Sequence, residues 1–175
     1  MTTHDFSRPL AFFDVDGVLN RWVSRSVARQ RGYTRLTVAP HDFFESTVYL
    51  DPAGDAELVG LLAEHFDFAW GTTWEHEAPR LLSPVLGFGA DWSVAVNESP
   101  AASKAPGVIK LAGGRPFVWF DDDTTATERA QVTEAGGLVI EVEDRKVTAE
   151  NAEDDTGLTR AHVLQALAFA GNLQM

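Results

Sequence analysis

The chain has 175 residues, a length that suits one domain built around one sizeable core. Its net charge of −12, from 14 basic and 26 acidic residues, argues against binding to long duplex DNA or RNA. It contains no cysteine, so disulfides and thiolate metal sites are excluded. Hydrophobic residues make up 45% and charged residues 23%, as in soluble globular proteins. No apolar stretch approaches the length of a membrane span, and Met1–Phe6 lacks the basic and apolar regions of a signal peptide. A cytoplasmic location with no membrane partner is therefore expected.

The first predicted element is a buried strand over Leu10–Val15, and it ends in Asp14-Val15-Asp16-Gly17. The glycine breaks the strand and leaves both carboxylates at its C-terminal edge. Such a D-x-D-G sequence is also a common polar turn. Two carboxylates crowded at one strand tip repel each other unless a cation sits among them, which points to a hard metal such as Mg2+ and to phosphate chemistry. Arg21, Arg25, Arg29, Arg31 and Arg35 follow with no acid between them. A solvated arginine-rich loop or helix is the favoured reading of this run, and a collar attracting an anionic substrate is the functional one.

Tyr33–Val38 and Thr47–Leu50 are β-prone and suit a small hairpin outside the main sheet. Pro52-Ala53-Gly54-Asp55 precedes a predicted helix over Ala56–Glu64 with Leu58, Leu61 and Leu62 on one face. A second buried strand over Phe66–Gly71 runs into Thr72-Thr73, and a helix is predicted over Trp74–Leu82 despite Pro79, with Thr73 as its N-cap. Trp70 and Trp119 read as core, His76 as a surface residue, and Trp74 as a candidate for a pocket wall. Gly87-Phe88-Gly89 reads as a turn, followed by a short strand over Ser93–Val96. Ser103-Lys104 opens an amphipathic stretch containing Val108, Ile109 and Leu111.

A further buried strand over Phe117–Phe120 runs into Asp121-Asp122-Asp123. Thr125-Ala126-Thr127-Glu128 has capping-box spacing and opens a helix that stops at Gly136-Gly137. A last strand over Leu138–Val142 leads into an acidic stretch, Glu141–Asp155, expected to be mostly loop. Thr159 caps a final helix with Val163, Leu164 and Leu167 facing inward.

Apolar runs alternating with amphipathic stretches imply an α/β fold with a mostly parallel five-stranded sheet covered on both faces. In such sheets ligands bind beyond the carboxyl ends of the strands. Three of those ends carry carboxylates or hydroxyls suited to a metal-bound phosphate: Asp14-Val15-Asp16, Thr72-Thr73 and Asp121-Asp122-Asp123.

In this order the motifs resemble those of the haloacid dehalogenase-like (HAD) superfamily of phosphohydrolases. The matching pieces are Asp14-Val15-Asp16-Gly17-Val18, Phe68-Ala69-Trp70-Gly71-Thr72, a lysine best matched by Lys104, and Trp119-Phe120-Asp121-Asp122-Asp123. The resemblance implies a Rossmann-like three-layer α/β/α fold over 1–175 as one HAD-like domain, with a flap and small insertion over roughly 18–50 and no large cap. It implies that Asp14 is a nucleophile forming an aspartyl-phosphate and that Asp16 is the general acid and base. Thr72 would bind a phosphoryl oxygen, with Gly17 and the alternative Thr73 beside it, and Lys104 would supply positive charge, with Lys110 as its competitor. Asp14, Asp121, Asp122 and the backbone carbonyl of Asp16 would hold Mg2+. Haloacid dehalogenases proper lack the second aspartate, so Asp16 points to phosphoryl transfer. A phosphorylated small molecule is the expected substrate. The alternatives are a phosphorylated nucleic-acid end and a non-catalytic domain that binds phosphate or a partner protein.

Overall fold

The computed structural model describes residues 8–42, 44–98 and 103–173. Met1–Phe6, read above for a signal peptide, lie outside the described residues. The chain runs through strand β1 (Leu10–Phe13), helix α1 (Arg25–Gln30), a hairpin of β2 (Thr34–Val38) and β3 (Ser46–Leu50), and α2 (Pro52–Leu62). It continues through β4 (Asp67–Trp70), α3 (Glu77–Leu86), β5 (Ser93–Val94), α4 (Ala105–Ala112), β6 (Phe117–Asp121), α5 (Ala126–Glu134), β7 (Gly137–Glu141) and α6 (Arg160–Asn172).

Strands β5, β4, β1, β6 and β7 lie side by side in that order, and every pairing is parallel. The period of two along β1 builds both cores. Leu10 and Phe12 join Ala69, Phe117 and Trp119 beneath α4 and α5. Ala11 and Phe13 join Trp70 and Phe120 on the opposite face, beneath α2, α3 and α6. There Phe13 and Phe120 stack with centroids 4.9 Å apart. The result is the expected three-layer α/β/α arrangement. Because β1 lies between β4 and β6, the ends of these three strands form one edge.

The hairpin lies outside the sheet, as expected, and is antiparallel with Thr34 opposite Leu50 and Val38 opposite Ser46. It is anchored by buried Val38, Val48 and Leu50. Its connecting loop meets the α3 region, where the His41 backbone N–H donates to Glu77 Oε2 at 3.1 Å.

Several boundaries differ from the sequence expectation for local reasons. Strand β1 stops at Phe13 rather than Val15, because the chain turns and the N–H groups of Val18, Leu19 and Asn20 all converge on the Val15 carbonyl. Helix α2 starts at Pro52 rather than Ala56. Asp51 caps it through Gly54 N–H, and a proline in the first turn loses no intrahelical bond. Helix α3 starts at Glu77 rather than Trp74, which puts Pro79 harmlessly in the first turn and makes His76, not Thr73, the N-cap residue. Leu164 is 55% exposed rather than inward, since Val163, Ala166 and Ala170 already form the buried stripe of α6. The capping box at Thr125 is present as expected. Among the described residues, no helix is long and apolar enough to cross a membrane.

The arginine run divides. Arg21 is not solvated: it is buried against Asp55 of α2, with both terminal guanidinium nitrogens 2.5 Å from the carboxylate oxygens. Arg31 donates to the carbonyls of Ala152 and Asp154 at 2.7 Å. Arg25 and Arg29 remain exposed on α1, and Arg35 on the hairpin.

Candidate active site

A cavity of about 600 Å3 opens at the shared strand edge, lined by Asp14, Asp16, Trp22, Thr73, Ser103, Lys104, Asp122, Asp123, Thr125, Glu128 and Asp144. Asp14 is the first residue beyond β1, held in line with the sheet by its N–H bond to the Phe120 carbonyl. Its Oδ1 accepts Val15 N–H at 2.7 Å, and its Oδ2 accepts Lys104 Nζ at 2.6 Å. The Lys104 ammonium also reaches Asp121 Oδ2, at the end of β6, at 2.5 Å. Lys104 therefore bridges the β1 and β6 tips. Lys110 lies elsewhere on α4 and lines a different cavity with Val94, Asn97 and Pro106.

Carboxylate oxygens of Asp14, Asp121 and Asp122 lie within 4.8 Å of one another. Gly17 makes room for this cluster. It adopts φ +73°, and a Cβ there would fall 1.8 Å from Asp122 Oδ2, so a side chain is excluded on both counts. The Asp16 side chain stands apart from the cluster. Its Oδ1 accepts Asn20 Nδ2 at 2.9 Å and its Oδ2 accepts Trp74 Nε1 at 2.8 Å. Thr73 lines the cavity, whereas Thr72 is buried and its Oγ1 accepts Trp74 N–H at 3.3 Å.

The electrostatics follow from crowding. Burial pushes Asp121 up to about 8, reinforced by the charge of Asp14 and opposed by Lys104. Asp122 rises to about 6, chiefly through burial, while the Trp22 indole N–H favours its ionised form. For Lys104, burial disfavours the charge, but Asp14 and Asp121 more than offset it and hold the ammonium above its ordinary range.

Sequence reasoning missed three side chains. Trp22, 36% exposed, donates from Nε1 to Asp122 Oδ2 at 2.9 Å. Asn20 ties Asp16 to the hairpin, because its Oδ1 accepts Tyr49 N–H at 2.9 Å. Glu128, visible in sequence as half of a capping box, also accepts Ser103 Oγ at 2.7 Å and Lys104 N–H at 3.2 Å. Trp74, a candidate for the pocket wall, is buried and meets the site through its indole N–H.

No family model matches the chain. No curated protein matches it in sequence either. Solved structures do resemble it. A hypothetical protein from Xanthomonas campestris superposes with a TM-score of 0.50 at 18% identity, covering 96% of this chain and 86% of the other. The 3-deoxy-D-manno-octulosonate 8-phosphate phosphatase of Moraxella catarrhalis, solved with magnesium, phosphate and its sugar, gives a TM-score of 0.50 at 16% identity over 96% of this chain and 90% of that one. At such identities the likeness is one of fold. The fold is HAD-like and of Rossmann type.

Proposed function

We propose that this chain is a cytoplasmic, Mg2+-dependent phosphomonoester hydrolase of HAD type, its residues 1–175 acting as one domain, which works through an aspartyl-phosphate on Asp14. The observation that carries this reading is the Lys104 ammonium held between Asp14 and Asp121 at the strand edge, beside Asp122. The shared fold of a phosphatase solved with magnesium and phosphate supports it at the level of architecture.

The residues fit the metal. Three carboxylates crowd together, two of them on one ammonium, and burial together with the charge of Asp14 resists the ionisation of Asp121 and Asp122. A divalent cation relieves that repulsion, and an all-oxygen donor set is what Mg2+ prefers. Asp14, Asp121 and Asp122 would hold it, with the backbone carbonyl of Asp16. When bound it supplies positive charge that offsets the phosphoryl oxygens.

The chain's own groups account for the remaining chemistry. An Asp14 oxygen attacks phosphorus while the bond from phosphorus to the leaving oxygen breaks, and Asp16 in its protonated form gives that oxygen a proton. Asp16, now a carboxylate, takes a proton from water as the water attacks the phosphorylated Asp14. Inorganic phosphate leaves, and the Asp14 carboxylate returns. Lys104 balances charge on the phosphoryl group, and the hydroxyl of Thr72, or of Thr73 in its place, donates a hydrogen bond to that group.

A phosphorylated small molecule is the favoured substrate. Six carboxylates and one ammonium line the cavity, and none of the five arginines of the run is among the lining residues. A polyanionic nucleic-acid end is correspondingly disfavoured. The test is turnover of an aryl phosphate and of a panel of phosphorylated metabolites with Mg2+. Activity should vanish with EDTA and in Asp14→Asn. Full activity in Asp14→Asn excludes the mechanism, and Mg2+ binding without any turnover indicates a non-catalytic binding domain.

A further inference from the structure

Asp16 is held from two sides by neutral N–H donors that come from different parts of the chain. Asn20, four residues on, donates to Oδ1 at 2.9 Å, and Trp74, from the loop after β4, donates to Oδ2 at 2.8 Å. Both donors are themselves fixed. Asn20 is buried, and its own amide oxygen accepts Tyr49 N–H from the hairpin at 2.9 Å. Trp74 is buried in the core with Ala78 and Leu82, and its backbone N–H is taken by Thr72 Oγ1. The turn carrying it is strapped by Glu75, whose Oε1 accepts Asn97 N–H at 2.8 Å.

A carboxylate has about four lone-pair positions on its two oxygens. Two donors, one on each oxygen, fix its plane and still leave a position on each oxygen free. A buried indole N–H requires an acceptor, and backbone carbonyls serve that need for Trp70 and Trp119 in this core, at 2.8 and 3.0 Å. Trp74 alone of these three spends its N–H on a carboxylate facing the cavity.

We propose that Trp74 and Asn20 are positioning residues for Asp16, clamping its carboxyl group so that it protonates the leaving oxygen. The proposal rests on the phosphohydrolase reading above and extends it. Proton donation matters most when the leaving group is a poor one. An alkyl phosphate releases a strongly basic alkoxide unless it is protonated as the bond breaks. A dinitrophenyl phosphate releases a stable phenolate that needs no proton. In the step that forms the phosphorylated Asp14, the clamp therefore acts on one class of ester and barely on the other, a pattern that a general loss of structure does not produce.

The test uses Trp74→Phe, which keeps an aromatic ring in place and removes the donor together with part of the indole. With Mg2+ present, kcat/KM, which reports the step that releases the alcohol, should fall about tenfold or more on an alkyl phosphate and stay within about twofold on dinitrophenyl phosphate. Asn20→Ala should give the same asymmetry. Equal loss on both esters, or no loss on either, overturns the clamp while leaving the phosphatase reading intact. A wild-type protein inactive on both esters overturns that reading instead. A second measurement needs neither turnover nor a folded Trp74 variant. The Trp74 indole N–H resonance should move upfield in Asp16→Ala as the hydrogen bond is lost, and an unmoved resonance overturns the clamp whether or not the protein is active.

Discussion

Glu128 grips the backbone of Lys104: its Oε1 accepts the Lys104 N–H at 3.2 Å and Ser103 Oγ at 2.7 Å, while its Oε2 accepts Thr125 N–H at 2.9 Å. One carboxylate thus caps α5 and fixes the residue from which the lysine reaches Asp14. Burial disfavours its charge, but these donors outweigh burial and lower its pKa. Glu128→Ala should cost about 1–2 kcal/mol through the lost cap. It should also lower kcat roughly ten- to a hundredfold by letting Lys104 drift. Glu128→Gln, which keeps an acceptor, should recover part of both. Chemical denaturation and aryl phosphate kinetics on the two variants check this. A stability loss without a kinetic one would reduce Glu128 to a helix cap.

The Arg21–Asp55 pair joins the loop after β1 to α2. Arg21 donates to Asp55 through both terminal nitrogens and to the Leu19 carbonyl at 2.8 Å, so it also holds the chain that carries Asp16 and Asn20. Removing one partner strands a buried charge. Asp55→Ala should therefore destabilise the protein by about 3–5 kcal/mol, whereas Arg21→Met with Asp55→Leu should recover most of that loss. Urea unfolding of the single and double variants measures the difference. Equal destabilisation in both would mean that Arg21 matters for its bond to Leu19 rather than for its charge.

The sheet was readable because strands buried on both faces are short apolar runs, and the groups at their tips follow directly in sequence. Asp14, Asp121 and Asp122 therefore stand out in the sequence alone. Helix starts were less readable, since Pro52 and Pro79 look like interruptions yet sit in first turns where their missing N–H costs nothing. The supporting hydrogen bonds were invisible for a different reason. Trp22 reaches Asp122 across 100 residues and Trp74 reaches Asp16 across 58, and local periodicity carries no information about such pairs. The arginine run shows the same limit. Arg21 and Arg25 differ in fate because only Arg21 meets a carboxylate on α2, which lies 34 residues away.

Arg25 and Arg29 line a separate surface cavity with Ser26 and Gln30 rather than the one that holds Asp14. Reversing both charges, Arg25→Glu with Arg29→Glu, should therefore leave turnover of an aryl phosphate within about twofold, and turnover of a phosphorylated oligonucleotide equally unaffected. A selective loss on the oligonucleotide would restore the collar reading and favour a nucleic-acid end as substrate. Parallel kinetics on the two substrates at low ionic strength, where steering is strongest, make the comparison most sensitive.

His162 should make the protein acid-sensitive. It stands in the first turn of α6, where its Nδ1 accepts the Thr159 N–H at 3.1 Å and so requires a free lone pair. Burial lowers its pKa below the usual 6.5, although Glu143 and Asp155 pull the other way. A positive charge at a helix N-terminus is unfavourable as well. With the folded pKa depressed, the unfolded chain binds more protons between that pKa and 6.5. The contribution is thus fully present above the unfolded value and is lost as pH falls through the folded one. His162→Gln keeps an acceptor at the same capping position and cannot titrate. Between about pH 7 and pH 5 the wild-type unfolding midpoint should fall more steeply than that of the variant. Parallel curves would show that protonation leaves this cap intact.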